Sequence, residues 1–294
     1  MLRLLERLSS RPRTTCAVAV AYLLAVTVSH DWMQQPAYWA QGELSHERWN
    51  NLVTAVAAPM LIAFCVWLVI KLRSHARPFL AIGYLVLTVA LAVVSFRTLL
   101  VMNIEVVHFP QYAVLGALAF AATGRYGSSM LWCTLGAMVD EGYQYFYLYA
   151  GRGIHYDFND VVLDSIGAGF GLVLVFICAT PASRLNAGMP CRPMSILKCQ
   201  SLWTSGALAA FSLSLYLTGF LRLLPDPQHR PLAIVLRRGG PSTMFWTPTT
   251  WGKTYHELQP LEWLFITVVL VVVYSMMDFI RPGQGARGHG PLDE

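Results

Sequence analysis

Charge is what this chain lacks. Only 13% of its 294 residues are Asp, Glu, Lys or Arg, against 55% hydrophobic, and the mean hydropathy is +0.49. A soluble domain carries about 25% charged residues, so a water-facing coat for a chain of this size cannot be built and a soluble enzyme is excluded. Acidic residues are missing altogether between Arg48 and Ile104. There is no Gly-rich phosphate loop of the Walker type, no internal repeat and no low-complexity tract, which removes P-loop and solenoid architectures. Cysteine builds no disulfide framework: Cys16, Cys65, Cys133 and Cys178 fall in apolar runs. Cys191 and Cys199 lie in a loop with no histidine at zinc-finger spacing. The formal net charge of +5 sits mostly in short gaps between apolar runs, so it reads as orientation in a membrane and not as nucleic-acid binding.

What is present is a series of runs long enough to cross a hydrocarbon core, which needs roughly 20 apolar residues per helix. The spacing predicts an all-α, polytopic helical membrane protein of about eight transmembrane helices. They run from Thr14 to Ser29, Asn51 to Ile70, Phe79 to Phe96, Val106 to Thr123, Ser128 to Leu148, Val161 to Thr180, Leu202 to Leu221 and Trp263 to Ile280. Arg3, Arg7, Arg11 and Arg13 flank the first, and Lys71, Arg73 and Arg77 follow the second. The positive-inside rule puts both flanks in the cytoplasm, and the alternation then places Arg125, the Arg184 to Lys198 loop and the tail with Arg281 and Arg287 there too. The expectation is an inner (plasma) membrane protein with both termini cytoplasmic. The segment from Arg222 to Pro260 falls outside despite Arg222, Arg230, Arg237, Arg238 and Lys253; long loops translocate with weak regard to charge. No small-residue cleavage site precedes His30 and Asp31, so the first helix is read as uncleaved. Met1, Leu4, Leu5 and Leu8 recur at helical spacing, as in a turn or two lying on the inner surface. The chain divides into a two-helix extension over 1–78, a four-helix core over 79–180, and a two-helix extension over 181–294 with the outer loop 222–260.

The acids then arrive together: Glu105, Asp140, Glu141, Asp157, Asp160 and Asp164. An acid at the centre of a spanning helix costs roughly 2.5 to 3.5 kcal/mol on insertion scales, so the group needs compensation or a shallow position. The topology supplies the shallow position, since all of them fall toward the outer face. Glu105, His108 and Tyr112 stand at i, i+3 and i+7, as do Asp157, Asp160 and Asp164, so each set shares one helix face. The stripes continue inward as Gly116 and Ala119, and as Gly167 and Gly171, small residues that let two helices meet. Asp140 and Gln144 share a face with Gly136, while Glu141 is turned about 100° away. Pro110 opens an alternative: were the helix to start there, Glu105 and His108 would lie on a preceding loop.

The order Glu105-x2-His108-Phe109-x2-Tyr112, Asp140-Glu141-x2-Gln144, Gly151-Arg152 and Asp157-x2-Asp160-x3-Asp164-x2-Gly167-x3-Gly171 resembles the VanZ-like family of membrane proteins, over about Leu99 to Ala179. The resemblance implies a helical membrane domain, associated in some members with resistance to teicoplanin-type glycopeptides. By position it carries the family's motif onto Glu105, His108 and Tyr112, onto Glu141 and Gln144, and onto Arg152, Asp157 and Asp160. The family usually has Asn where this chain has Asp164, which adds a titratable group.

Several chemistries are open to these residues. His108, with Glu105 one turn away, Asp160 and Glu141 form the candidate catalytic set, the imidazole acting as general acid or base. Arg152, Tyr112, Gln144 and Asp140 are candidate substrate-binding groups, with Arg152 able to clamp a phosphate through paired N–H donors. Asp157, Asp160 and Asp164 offer oxygen ligands suited to a divalent cation, Mg²⁺ or Ca²⁺. The expected partners are the lipid bilayer and a lipid-linked or phosphorylated envelope component, with no nucleic acid. The competing readings are a non-catalytic scaffold in which polar groups only tie helices together, and a proton-coupled transporter. Phe245, Trp246, Trp251 and Tyr255, with Lys253 and His256, read either as a surface anchor or as a lid over the polar site. Leu232 to Leu236 reads as a short strand.

Overall fold

Prolines and caps cut the apolar sequence into eight long α-helices among the described residues of the computed structural model, which are 7–73, 75, 77–149, 156–178, 200–219, 221–222, 234–235, 245–249 and 252–280. They are α1 (Pro12–Glu43), α2 (His46–Leu72), α3 (Pro78–Thr98), α4 (His108–Thr123), α5 (Tyr126–Tyr143), α6 (Phe158–Cys178), α7 (Gln200–Leu217) and α8 (Pro260–Ser275). Proline opens α1, α3 and α8, where its missing N–H costs nothing, and the Ser45 hydroxyl caps α2 by accepting from the Arg48 N–H. Gly124, at φ 68°, closes α4 in the left-handed conformation that glycine adopts without strain.

Six stretches are long and apolar enough to cross a membrane: Pro12–Ala40, His46–Leu72, Pro78–Thr98, Asn103–Thr123, Phe158–Cys178 and Pro260–Phe279. The fifth and seventh expected spans form α5 and α7 but are not among them. Ser128, Ser129, Thr134, Asp140 and Glu141 dilute the first of these, and Gln200, Thr204 and several serines the second. The first span also runs further than expected: α1 continues through His30 and Asp31 to Glu43, about 48 Å at 1.5 Å per residue. The expected strand at Leu232 to Leu236 shrinks to Ile234–Val235, paired in parallel with Leu221–Arg222.

The core sits around α6, whose side chains are buried almost throughout, as befits a helix apolar on every side. It packs against α2, α3, α4, α5 and α8, with α1 lying across α4 and α5. Large apolar side chains cover the periphery, including Leu24, Met60, Val86, Val94, Trp132 and Phe265. A soluble monomer does not leave so many exposed, whereas lipid covers them without cost.

Charge separates the two ends of the bundle. Lys71, Arg73, Arg77 and Arg125 gather at the end where α2 finishes and α3 and α5 begin. There the Asp278 carboxylate accepts the N–H groups of Tyr126 and Gly127 at 2.8 and 2.9 Å, capping α5. The acids gather at the opposite end, where α4, α6 and α8 begin.

Candidate functional site

Glycine lets the backbones of α4 and α6 touch, and that contact sets the centre of the site. A Cβ on Gly167 would lie 2.8 Å from the Phe109 carbonyl oxygen and 2.9 Å from that of His108; one on Gly116 would lie 2.5 Å from the Ala168 carbonyl oxygen. The small-residue stripes therefore face each other, and His108, the first residue of α4, is delivered straight to α6. Its Nδ1 lies 2.7 Å from Asp164 Oδ1 and its Nε2 3.7 Å from Asp160 Oδ2, with His108 only 5% exposed and Asp164 at 0%. An ionised carboxylate only accepts, so this contact keeps a proton on Nδ1 and turns Nε2 toward Asp160.

Glu105 does not hold the imidazole as the sequence spacing suggested. It stands in a 3-10 turn, Asn103–Val107, and its carboxylate accepts the backbone N–H groups of Val101 and Met102 at 2.8 and 3.0 Å. The reason is Pro110, which fits only the first turn of α4 and forces the chain before His108 out of the α-helix. Glu105 remains within electrostatic reach of His108, but its hydrogen bonds build the turn. Asp157 is likewise drawn off the shared face, its Oδ1 accepting from the Asn159 N–H at 2.8 Å at the start of α6.

Tyr112 is buried on the same face as His108, beside Asp164 and Asp140. On α5, Asp140 and Glu141 are both buried and both reach the cluster. The 100° between them sends Asp140 toward Tyr112 and His108, and Glu141 toward Asp160 and Asp157. Glu141 therefore does not turn away. Gln144 donates to it at 2.7 Å from the head of a π-helical turn, Gln144–Leu148, an irregularity that often marks functional positions. Tyr156 donates to the Met138 carbonyl at 2.9 Å, and burial, with Glu141 and the two aspartates nearby, pushes its hydroxyl pKa up, so it remains a donor. Arg152 and Gly151 lie outside the described residues, as do Cys191, Cys199 and Trp251. Asp157, Asp160 and Asp164 do not share one ligand position: the first caps a helix and the third is tied to His108. Among the described residues no three His, Cys, Asp or Glu side chains are grouped to hold a metal ion.

Two contributions were not anticipated from sequence. Helix α1 enters the site with His30, whose ring lies 6.5 Å from that of His108, and with buried Thr27 beside Asp140. Leu23 fits against Gly136, 3.0 Å from where its Cβ would be, and the Tyr22 hydroxyl donates to the Gln111 carbonyl at 3.0 Å. Thr27 and His30 stand one turn apart in an otherwise apolar run, a signal that was there to be read. The second is Asn159, which donates to the carbonyls of Leu99 and His256 at 2.9 and 2.8 Å and accepts from the Leu258 N–H at 2.9 Å. It pins the segment before α8 across the ends of α3 and α6. There Lys253 donates to Asn103 Oδ1 at 2.8 Å, and burial pulls its ammonium pKa down, with Glu105 opposing and Arg97 reinforcing. His256 stacks on Phe245 with ring centroids 4.0 Å apart.

A buried imidazole fixed by one carboxylate, with a second carboxylate opposite its free nitrogen, can transfer protons to and from a polar group that enters between them. No family model, curated protein or solved structure matches this chain.

Proposed function

We propose that this chain is a VanZ-like integral membrane protein of eight spans, seated in the inner (plasma) membrane with both termini cytoplasmic. In this reading α5 and α7 cross the bilayer shielded by their neighbours, and the polar end of the bundle faces outward. There the protein recognises, and modifies by proton transfer, a lipid-linked or phosphorylated envelope component, with altered teicoplanin susceptibility as one consequence. The observation that carries the reading is His108, held on Nδ1 by Asp164 with Nε2 toward Asp160. His108 is the proton-transfer group, Asp164 fixes its tautomer and Asp160 faces the entering group. Asp140, Glu141, Gln144 and Tyr112 line the approach. A phosphate, which the acids alone would repel, is met by Lys253 near Glu105, and Arg152 is the further cation that the sequence offers it.

Magnitudes favour a site over helix glue. Interhelical hydrogen bonds in membranes average about 0.6 kcal/mol, far below the cost of burying this many ionisable groups. The test is complementation of a deletion strain with His108→Ala and Asp160→Asn at normal protein levels, read as a lipid and cell-wall precursor profile. Both variants should reproduce the deletion profile, and an accumulated precursor names the substrate class. Full complementation by both would leave a scaffold as the better account.

A further inference from the structure

We propose that His256 is a pH-dependent clasp on the segment that crosses the acidic end of the bundle: as an imidazolium it ties the hairpin before α8 to the first turn of α8, and on losing its proton it lets the hairpin go. In that hairpin Thr247–Pro248 pairs antiparallel with Thr254–Tyr255. The Thr249 N–H and hydroxyl both donate to the Lys253 carbonyl, at 2.7 and 2.8 Å. His256 follows directly, its ring 8° from parallel to that of Phe245 with centroids 4.0 Å apart. Nδ1 stands 2.7 Å from the Phe245 carbonyl oxygen and Nε2 3.2 Å from Glu262 Oε2, so one ring bridges the entry to the hairpin and helix α8.

Both of those partners only accept. The Glu262 oxygen is not a hidden donor, because the same Oε2 accepts the Gln259 N–H at 2.7 Å, and the N-terminus of α8 favours an ionised carboxylate there. A neutral imidazole has one N–H and satisfies one of the two partners, leaving its other nitrogen with a lone pair; only the imidazolium satisfies both. Nor is the bridge sealed from water, since the His256 side chain is 13% exposed and that of Glu262 43%. Further charged groups surround it: Glu257 and Lys253 on its own segment, Arg97 on α3 and Asp157 on α6. Arg97 precedes Thr98, whose carbonyl accepts the His256 N–H, and Asp157 stands two residues before Asn159, which donates to the His256 carbonyl. Those two backbone ties do not titrate, so the proton governs the hairpin and not the attachment of the segment to α3 and α6. Lys253 rides on the hairpin, its Nζ donating to Asn103 Oδ1 at 2.8 Å, which makes His256 a positioning residue for that ammonium. The clasp is closed on the acid side and opens as pH rises through the range, about 5 to 8, in which histidine changes charge.

The test is hydrogen–deuterium exchange of the purified full-length protein in detergent, read peptide by peptide between about pH 5.5 and 8.5 and corrected for the intrinsic pH dependence of amide exchange. Peptides holding the Thr249 and Gly252 amides should lose protection about two- to fivefold as pH rises, the size expected of a partly exposed ion pair. The Leu258 amide, held by Asn159, should keep its protection. His256→Gln should show the low protection at every pH. If that variant does not fold, Glu262→Gln carries the comparison: it removes the charge that needs an imidazolium and should flatten the same response. Asp278→Asn, at the other end of the bundle, should leave the response as in wild type. The proposal is overturned if protection at Thr249 and Gly252 is independent of pH or grows as pH rises, or if His256→Gln or Glu262→Gln responds like wild type. It is equally overturned if Leu258 and the α6 peptides lose protection in parallel, which would mean that the whole bundle loosens. No substrate enters the measurement, so failure of the clasp and failure of the proton-transfer reading are told apart.

Discussion

Each end of the helix bundle holds aspartate, half-buried at Asp278 and fully buried at Asp140 and Asp164, and the two ends treat it differently. At the basic end each oxygen of Asp278 accepts one of the first two N–H groups of α5. At the acidic end Asp164 spends one oxygen on His108, while its other oxygen and both of Asp140's have no backbone N–H and only the hydroxyls of Tyr112 and Thr27 beside them. A carboxylate held by backbone N–H groups is part of the scaffold; one that lacks them in a low-dielectric interior is a cost that a ligand, an ion or a proton removes. The contrast teaches that withdrawal from water, partial or complete, does not by itself mark a functional acid. Incomplete partnering does.

The comparison breaks or sharpens under four substitutions. The largest effect belongs to His108→Ala, which should lower function by about 10² or more in a complementation or turnover assay at normal protein levels. The same variant should unfold only slightly below wild type; a collapse of Tm with proportional loss of function would make His108 a structural tie. Next comes Gly167→Ala, whose added methyl meets the backbone of His108 and Phe109. Overpacking of this kind costs typically 1–3 kcal/mol, so Tm should fall, and function should fall further because α4 carries His108 away from Asp164. A variant as active and stable as wild type would mean that the two helices separate freely.

Asp278→Asn probes the other end. It removes a charged cap and should cost about 1 kcal/mol of stability while activity per folded molecule is unchanged. Loss of activity in well-folded protein would erase the distinction between the two ends. The smallest effect is expected of Glu105→Gln, which keeps one acceptor for the turn and loses the other, a change of about 0.5 kcal/mol read by thermal unfolding. A drop in function as deep as that of His108→Ala would return Glu105 to the reacting centre.

Much of the arrangement was legible in the chain because membrane burial writes strong patterns. The glycine stripes through Gly116, Gly167 and Gly171 identified the helix pair that meets, since only small residues allow that approach. The spacing of Asp160 and Asp164 placed both on the face that meets His108. What failed was local. Glu105 and Asp157 satisfied the helical spacing but stand at helix starts, where backbone N–H groups compete for the carboxylate and win. Glu141, named for the catalytic set although a 100° turn separates it from Asp140, is buried on α5 as Asp140 is. His30 was passed over because a helix is not obliged to end where its hydrophobicity does, and α1 runs on to Glu43; Thr27, inside the expected span, carries no charge to mark it.

By itself the amino-acid sequence determined that this is a helical chain with stretches apolar enough to span a bilayer, and that its acids collect at one end. Hydrophobic length and helical period are properties of each segment alone, and no neighbour is needed to read them. Only the tertiary structure decided that Asp164, and not Glu105, holds the imidazole, that α1 completes the site, and that Asn159 fastens the segment before α8. Those choices depend on which donors and acceptors, distant along the chain, are brought within about 3 Å by packing, and no spacing within one helix encodes them.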